Sequence, residues 1–274
     1  MDHAHRDDVA PRRADAWYVA DWLEEARLDL VFDVRDTRSA QGRLEMHVKR
    51  VTLDDLVLFH GHACDGLLRG AYAMRALGDV AFDGGPFDRS DLEVVSKNSP
   101  CLGDVAAYLT GGRLRFGTHR LDDSLGVGFV VREVSTGRTW EVREELGFFP
   151  ALIGAWEAAL LDDDLVDSGS LRAADKVELI AVNEARQWTW VREVLLASRP
   201  SDHYVVRTLE DVELPEPIHR ARRTDVVNRD VPAPEEYASP YEPLMGSGGS
   251  PRGGEGSLWE LRYDEGPLQF ARER

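Results

Sequence analysis

Both cysteines of this chain stand where a loop turns into a helix. Cys64 closes the segment His60-Gly-His-Ala-Cys and precedes a run with helical spacing, Leu67, Leu68, Ala71, Met74 and Leu77. Cys101 follows an extended stretch, LEVVS, and an Asn-Ser-Pro turn, and opens a second helix whose first turn contains Asp104. At such a position the unpaired N–H groups and the positive end of the helix dipole favour a thiolate. Thiolate and imidazole are the usual ligands of zinc and similar borderline metals. Ligands at i, i+2 and i+4 converge only where the chain turns, and Gly61 permits a turn. If the two helices start side by side, His62, Cys64 and Cys101 form a three-ligand set. Water or substrate would take the fourth position, as in a catalytic rather than a closed structural zinc site. His60 and Asp104 are left either as a fourth ligand or as groups that orient one. The competing reading is packing: free cysteine is among the most buried residue types, and H-x-H-x-C alone is a weak pattern.

The pattern of the chain predicts an α+β fold. Residues 1–14 are polar, 16–30 read as an amphipathic helix, and strands are expected near 28–34 and 42–51. Thr52-Leu-Asp-Asp55 has the form of a capping box and predicts a short helix to about Phe59. The next helix is expected over 65–77 with Gly78 as its stop, then a Gly/Pro loop over 82–90 and a strand at 92–96. A helix over 101–109 should end at Gly111-Gly112, followed by a short strand at 113–116. Residues 128–133 and 138–143, joined through Ser-Thr-Gly, read as a hairpin. A helix is expected over 151–161, then an acidic loop, then a long helix over 171–197 with a seam through Val177, Ile180, Glu184, Trp188, Val191 and Leu195. A strand or strand pair over 203–214 ends at Pro215. Residues 230–257 are rich in Pro, Gly, Ser and Glu and bury little. The reading is therefore an N-terminal extension (1–50), a core (51–217) and a flexible tail (218–274) with a possible docking segment at 257–270.

Composition narrows the partners. A net charge of −17 argues against nucleic acid and anionic membranes, both polyanions. Two cysteines in 274 residues make no disulfide framework, which favours a reducing, cytoplasmic setting. The N-terminus has no apolar signal region, and no run approaches the length of a membrane span.

FHGHACDGLLRGAYAMRALG resembles the signature of the FmdE family, named for a component of formylmethanofuran dehydrogenase, roughly HGH-x-C-P-G before a Gly-containing helix. Asn98-Ser-Pro-Cys101-Leu-Gly-Asp104-Val-Ala-Ala-Tyr-Leu-Thr-Gly111 is similar to the family's N-x-x-C-x-x-D-A-x-x-x-L-T-G. The resemblance runs over about residues 52–217. It implies an α+β core with a mixed or antiparallel sheet packed by helices, often an intertwined dimer. It also implies a metal, commonly zinc, with His62, Cys64 and Cys101 as ligands and His60 and Asp104 next. There are departures. Asp65 replaces the family's Pro. Thr118, His119 and Arg120 replace a Lys-Gly-Asn turn, with His119 or Arg120 as substitutes for the Lys. The family's C-terminal zinc ribbon is absent, since the stretch that would carry it has no cysteine.

The expectation is a metal-dependent enzyme acting on a small-molecule substrate by hydrolysis, hydration/dehydration or related carbonyl chemistry. His60, Asp104 and His119 are the catalytic candidates. Zinc leads, and iron, nickel and copper also suit the donors. The alternatives are a metal or sulfur carrier serving another enzyme, or a thiol/redox protein. A homodimer is expected. Trp188 and Trp190 read as core or interface anchors, as do Trp17 and Trp22. Arg69 reads as a solvated residue or an anion contact. Asp162–Asp164 reads as a solvated loop, and His3 and His5 as a polar terminus.

Overall fold

Thr52 joins the first sheet to the first helix of the site. A computed structural model describes residues 30–37, 45–160 and 173–218, all inside one compact unit, Met1–Asp230. β1 (Val31–Thr37) and β2 (Met46–Thr52) pair antiparallel, with Val31 opposite Thr52 and Phe32 opposite Val51. Helix α1 (Leu53–His60) follows at once. The Asp55 carboxylate accepts from the Thr52 N–H at 2.7 Å and from its hydroxyl at 2.8 Å, so the helix start expected from the sequence is present. Gly61, at φ 98°, ends α1 in the left-handed conformation, and its N–H returns to the Val57 carbonyl.

The turn delivers the chain to α2 (Asp65–Ala81), with Cys64 at its N-cap. Ten of its seventeen residues are buried, from Leu67 to Gly78, which makes it the central helix. Gly78 does not stop it. A Cβ there would sit 3.0 Å from the Phe87 ring, so this glycine makes room for a packing contact inside the helix. Phe87 belongs to β3 (Phe87–Asp88), a two-residue strand parallel to β1 that the sequence reading leaves as loop. It completes a sheet of order β2-β1-β3.

β4 (Leu92–Ser96) leads through the Ser-Pro turn to α3 (Pro100–Thr110). α3 ends at Gly111, with φ 72°. The expected strand at 113–116 is a tight 3₁₀ turn at Leu114–Phe116, and the strand comes later, at β5 (His119–Leu121). β6 (Gly128–Glu133) and β7 (Thr139–Glu144) form the expected hairpin, with Val130 opposite Glu141. β8 (Tyr204–Leu209) adds to β7 and completes a five-stranded sheet of order β5-β4-β6-β7-β8, antiparallel except for β4–β5. This is an α+β fold with mixed and antiparallel sheets packed by helices. One continuous core joins Phe32 and Val34 of the first sheet, Leu67, Met74 and Leu77 of α2, Val105 and Leu109 of α3, and Phe129 and Val142 of the second sheet. A smaller cluster of Val95, Leu125 and Val130 forms a separate apolar group.

Two further helices complete the neighbourhood of the site. They are α4 (Ala151–Leu160) and α5 (Ala173–Trp190), and α5 continues into a wider turn at Val191–Leu195, where the Leu196 N–H reaches the Val191 carbonyl. Among the described side chains here, Asn183, Trp190, Val191 and Leu195 are buried, while Ile180 and Glu184 of the predicted seam are exposed; the Val177 side chain lies outside the described ones. A short helix, α6 (Pro200–His203), precedes β8. The expected helix at 16–30, Trp17, Trp22, His3 and His5, the acidic run 162–164 and the tail from 219 onward, including 257–270, lie outside the described residues.

Gly111 carries two demands at once. Its φ is positive, and a Cβ would meet the Arg89 carbonyl oxygen at 2.5 Å. Gly111→Ala should destabilise the fold by roughly 2 kcal/mol or more. A lowered urea midpoint at unchanged m-value checks this; an unchanged midpoint would mean that the end of α3 relaxes freely.

Candidate metal centre

Three elements place the donors. α1 ends with His60, α2 begins after Cys64, and α3 holds Cys101 in its first turn. The two helix starts touch because the first turns of α2 carry glycine. A Cβ at Gly66 would lie 3.1 Å from both Cβ and Sγ of Cys101, and one at Gly70 would lie 3.1 Å from Leu102. With those side chains missing, the sulfurs of Cys64 and Cys101 stand 3.4 Å apart. The His60 Nε2 is 3.6 Å from the Cys64 sulfur. One donor atom each from His60, Cys64 and Cys101 lie within 4.8 Å of one another, the only such His/Cys/Asp/Glu group among the described residues.

Asp104 sets the orientation of His60. Its carboxylate lies 2.8 Å from His60 Nδ1, and the imidazole is almost fully buried. A carboxylate accepts, so Nδ1 carries a proton and the Nε2 edge of the ring faces the thiols. The two thiols are within hydrogen-bond distance of each other. The hydrogen bond from Cys64 lowers Cys101 to about 6, with His60 adding to the effect against burial. The same contact, together with burial, pushes the Cys64 thiol up. The Leu67 N–H also donates to the Cys64 sulfur at 3.4 Å, as expected at an N-cap. Two sulfurs and one imidazole nitrogen, one sulfur already poised as thiolate, are a donor set able to coordinate a divalent transition metal.

The other residues named from the sequence fall as follows. His62 is exposed; its ring lies against that of His60, centroids 4.6 Å apart, and its nitrogens are outside the 4.8 Å group. His119 is buried, and its Nε2 is 2.8 Å from the Ser96 hydroxyl. Arg120 binds Glu93 and the Pro215 carbonyl. Arg69 is neither solvated nor free for an anion. It forks onto Glu144 at 2.9 and 2.6 Å, reaches Asp65 at 3.3 Å, and lies 3.9 Å from the centre of the Phe149 ring. The Tyr204 hydroxyl donates to the same Glu144. Sequence reasoning missed Glu144 because it stands 75 residues from Arg69 and carries no local signal.

Both sulfurs open on a cleft of about 690 Å³. Its floor is the starts of α2 and α3, and its far wall is α4 and α5, contributing Gly154, Glu157, Asn183, Glu184 and Trp188. Partial burial and the nearby Asp65 push the Glu157 carboxyl up. The face of α5 that the sequence marks as a seam thus turns toward this cleft through Ile180, Glu184 and Trp188, while Trp190 packs against Phe148 and Phe149 as a core anchor.

Residues 59–160 match the FmdE family. The matching family model is described as "FmdE, Molybdenum formylmethanofuran dehydrogenase operon". The matched segment is narrower than the resemblance read from the motifs, but it contains His60, Cys64, Cys101 and Asp104. The match takes in less than half of the chain. No curated protein matches the chain. Among solved structures, the chain is similar to a tungsten formylmethanofuran dehydrogenase FmdE-like protein from Syntrophus aciditrophicus, with 14% identity, 58% of this chain and 73% of that chain covered, and a TM-score of 0.32.

Burial holds His119 well below its ordinary 6.5, at about 4, and Arg113 adds to the effect. The unfolded chain therefore takes up a proton below pH 6.5 that the folded chain refuses until about pH 4. Stability should fall as pH drops through that window, by an amount on the order of 3 kcal/mol, and the loss should level off below it. His119→Gln should remove this part of the dependence in urea titrations at several pH values. Identical slopes for wild type and variant would show that His119 is not held neutral.

Proposed function

We propose that this protein is a metal-dependent enzyme that acts on a small metabolite by hydrolysis, hydration/dehydration or related carbonyl chemistry. The observation that carries the reading is the set of three soft and borderline donors, within 4.8 Å of one another, with both sulfurs on the wall of an open cleft. Such a cleft has the size of a small-molecule site. His60, Cys64 and Cys101 are proposed as the protein ligands, with zinc as the first choice of metal and iron, nickel or copper as the others. His62, exposed beside His60, is proposed as an additional ligand from the sequence set. When bound, the ion would supply Lewis acidity toward a carbonyl or activate a water. The chain's own part is to hold the donors: Asp104 keeps the Nδ1 proton of His60 in place, and the glycines of α2 keep the thiols together.

A reducing, cytoplasmic setting belongs to this reading, because such a setting keeps two neighbouring thiols from oxidising to a disulfide. No described helix is long and apolar enough to cross a membrane. A homodimer also belongs to it, supported by the exposed Leu58 and Phe59 beside the site. Light scattering of the purified protein should give twice the chain mass; a clean monomer would remove the dimer from the proposal.

A second reading is thiol/redox chemistry, favoured by the 3.4 Å between the sulfurs. Metal content of tag-free protein, measured by mass spectrometry, separates the two. The metal reading expects about one ion per chain, absent from the Cys64→Ser/Cys101→Ser variant. It also expects roughly 10- to 100-fold weaker metal affinity in Asp104→Asn, which leaves the ligands but releases His60. Wild type without metal, even after reconstitution, would sink the metal reading and leave the redox one.

A further inference from the structure

Carboxylates outnumber cations in the cleft on which the thiols open. Asp65 lies beside the thiols and Glu157 and Glu184 on the far wall, against two cations, Arg69 and Lys97. Arg69 is already committed to Glu144 and Asp65. Neither Glu157 nor Glu184 has a hydrogen-bond or ion-pair partner among the described residues. The three carboxylates do not converge, since the only tight His/Cys/Asp/Glu group among the described residues is the one formed by His60 and the two thiols. A second metal ion is therefore not what they are arranged to hold. They are spread along the cleft, as acceptors for an extended ligand would be.

Asn183 points the same way, independently. It lines the cleft and is only 3% exposed. Its Nδ2 donates to the Ile153 carbonyl at 3.3 Å. A carbonyl can only accept, so this bond fixes which end of the amide is which. The Oδ1 is buried and has no partner among the described residues. A buried unpaired acceptor is a costly feature, and it is completed by a donor. Trp188, Val127 and Leu102 supply apolar surface in the same cleft.

We propose that the cleft binds an organic ammonium compound with an apolar body, its N–H donors taken by Asn183 Oδ1 and by the carboxylates of Glu157 and Glu184. Such a ligand answers these features together. Its charge offsets that of Glu157 and Glu184, its N–H groups meet acceptors that have no donor among the described residues, and its carbon chain covers the apolar strip. Among the described lining residues, an anionic metabolite would meet three carboxylates and one uncommitted cation, Lys97. The assignment names the substrate class for the metal-dependent reading, and so rests on it for any role in catalysis but not for binding.

Three probes of equal length separate the outcomes: 1,6-diaminohexane, 1,6-hexanediol and adipate, each titrated calorimetrically into the full zinc-reconstituted chain. The diamine should bind at least roughly tenfold more tightly than the diol, and adipate should not bind. The Glu157→Gln/Glu184→Gln variant should lose roughly tenfold of the diamine affinity, and Asn183→Leu should lose a comparable factor. The glutamate variant changes no packing, so its result stands even if Asn183→Leu fails to fold. Equal binding of diamine and diol, preference for adipate, or diamine binding unchanged in the glutamate variant would overturn the proposal. The last result would mean only diffuse attraction to a chain of net charge −17. Metal content measured on the same samples keeps the two readings apart. Zinc retained without diamine binding removes the ammonium site alone; diamine binding without zinc uptake removes the metal-dependent reading alone.

Discussion

The contact between the first turns of α2 and α3 is the constraint on which the site depends. Gly66 and Gly70 stand one helical turn apart and face Cys101 and Leu102. Side chains at i and i+4 share a helix face, so two glycines there leave a groove into which α3 settles. An alanine at Gly66 would place a carbon 3.1 Å from the Cys101 sulfur, closer than ordinary contact. The thiols would have to part. Their 3.4 Å separation is therefore a packing result before it is a chemical one. Helix geometry adds a further influence: both sulfurs stand at helix starts, where backbone N–H groups favour the ionised form, a pull that the neighbouring sulfur and burial outweigh at Cys64.

Charge is distributed by burial around that contact. His60 is sunk behind the thiols, and its remaining N–H is spent on Asp104. On the other side of Cys64, Asp65 opens α2 and is held by Arg69, which Glu144 in turn grips from β7. Removing one member of such a buried set leaves a charge without its partner, an expensive state. The Arg69–Glu144 fork, covered by Phe149, thus ties the start of α2 to the five-stranded sheet. Burial and Arg69 together explain why an acid can follow a metal-ligand candidate directly without being left exposed to repulsion from the thiolate.

What the sequence revealed, and what it hid, follows from the range of each interaction. The capping box at Thr52–Asp55, the left-handed glycines 61 and 111, the β6–β7 hairpin and both helix starts were legible, because each depends on neighbours a few residues away. Gly78 was misleading for a tertiary reason: a glycine that ends helices elsewhere here accepts the Phe87 ring. The strand placed at 113–116 arrived at 119–121 because Gly117 closes a tight turn first. The two histidines of His-Gly-His look alike in sequence. What distinguishes His60 is a carboxylate 44 residues away, on another helix. Nor could local spacing announce that Glu144 would meet Arg69, or that α5 would turn Glu184 and Trp188 toward the thiols.

The order of burial across the site bears on what kind of centre it supports. His60 lies beneath, out of the cleft lining, while Cys64 and Cys101 are part of that lining. An ion held by the three would have protein on one side and the cleft on the other. A closed structural site surrounds its ion with four protein ligands, and its removal unfolds the domain. The core beneath the donors is apolar and closely packed: Leu67, Val105, Leu109 and Phe129 are buried around the same helix starts. Two thiols and an imidazole within 4.8 Å of one another, with the thiols on the edge of a cleft, thus have the layout of an accessible centre rather than of a closed one.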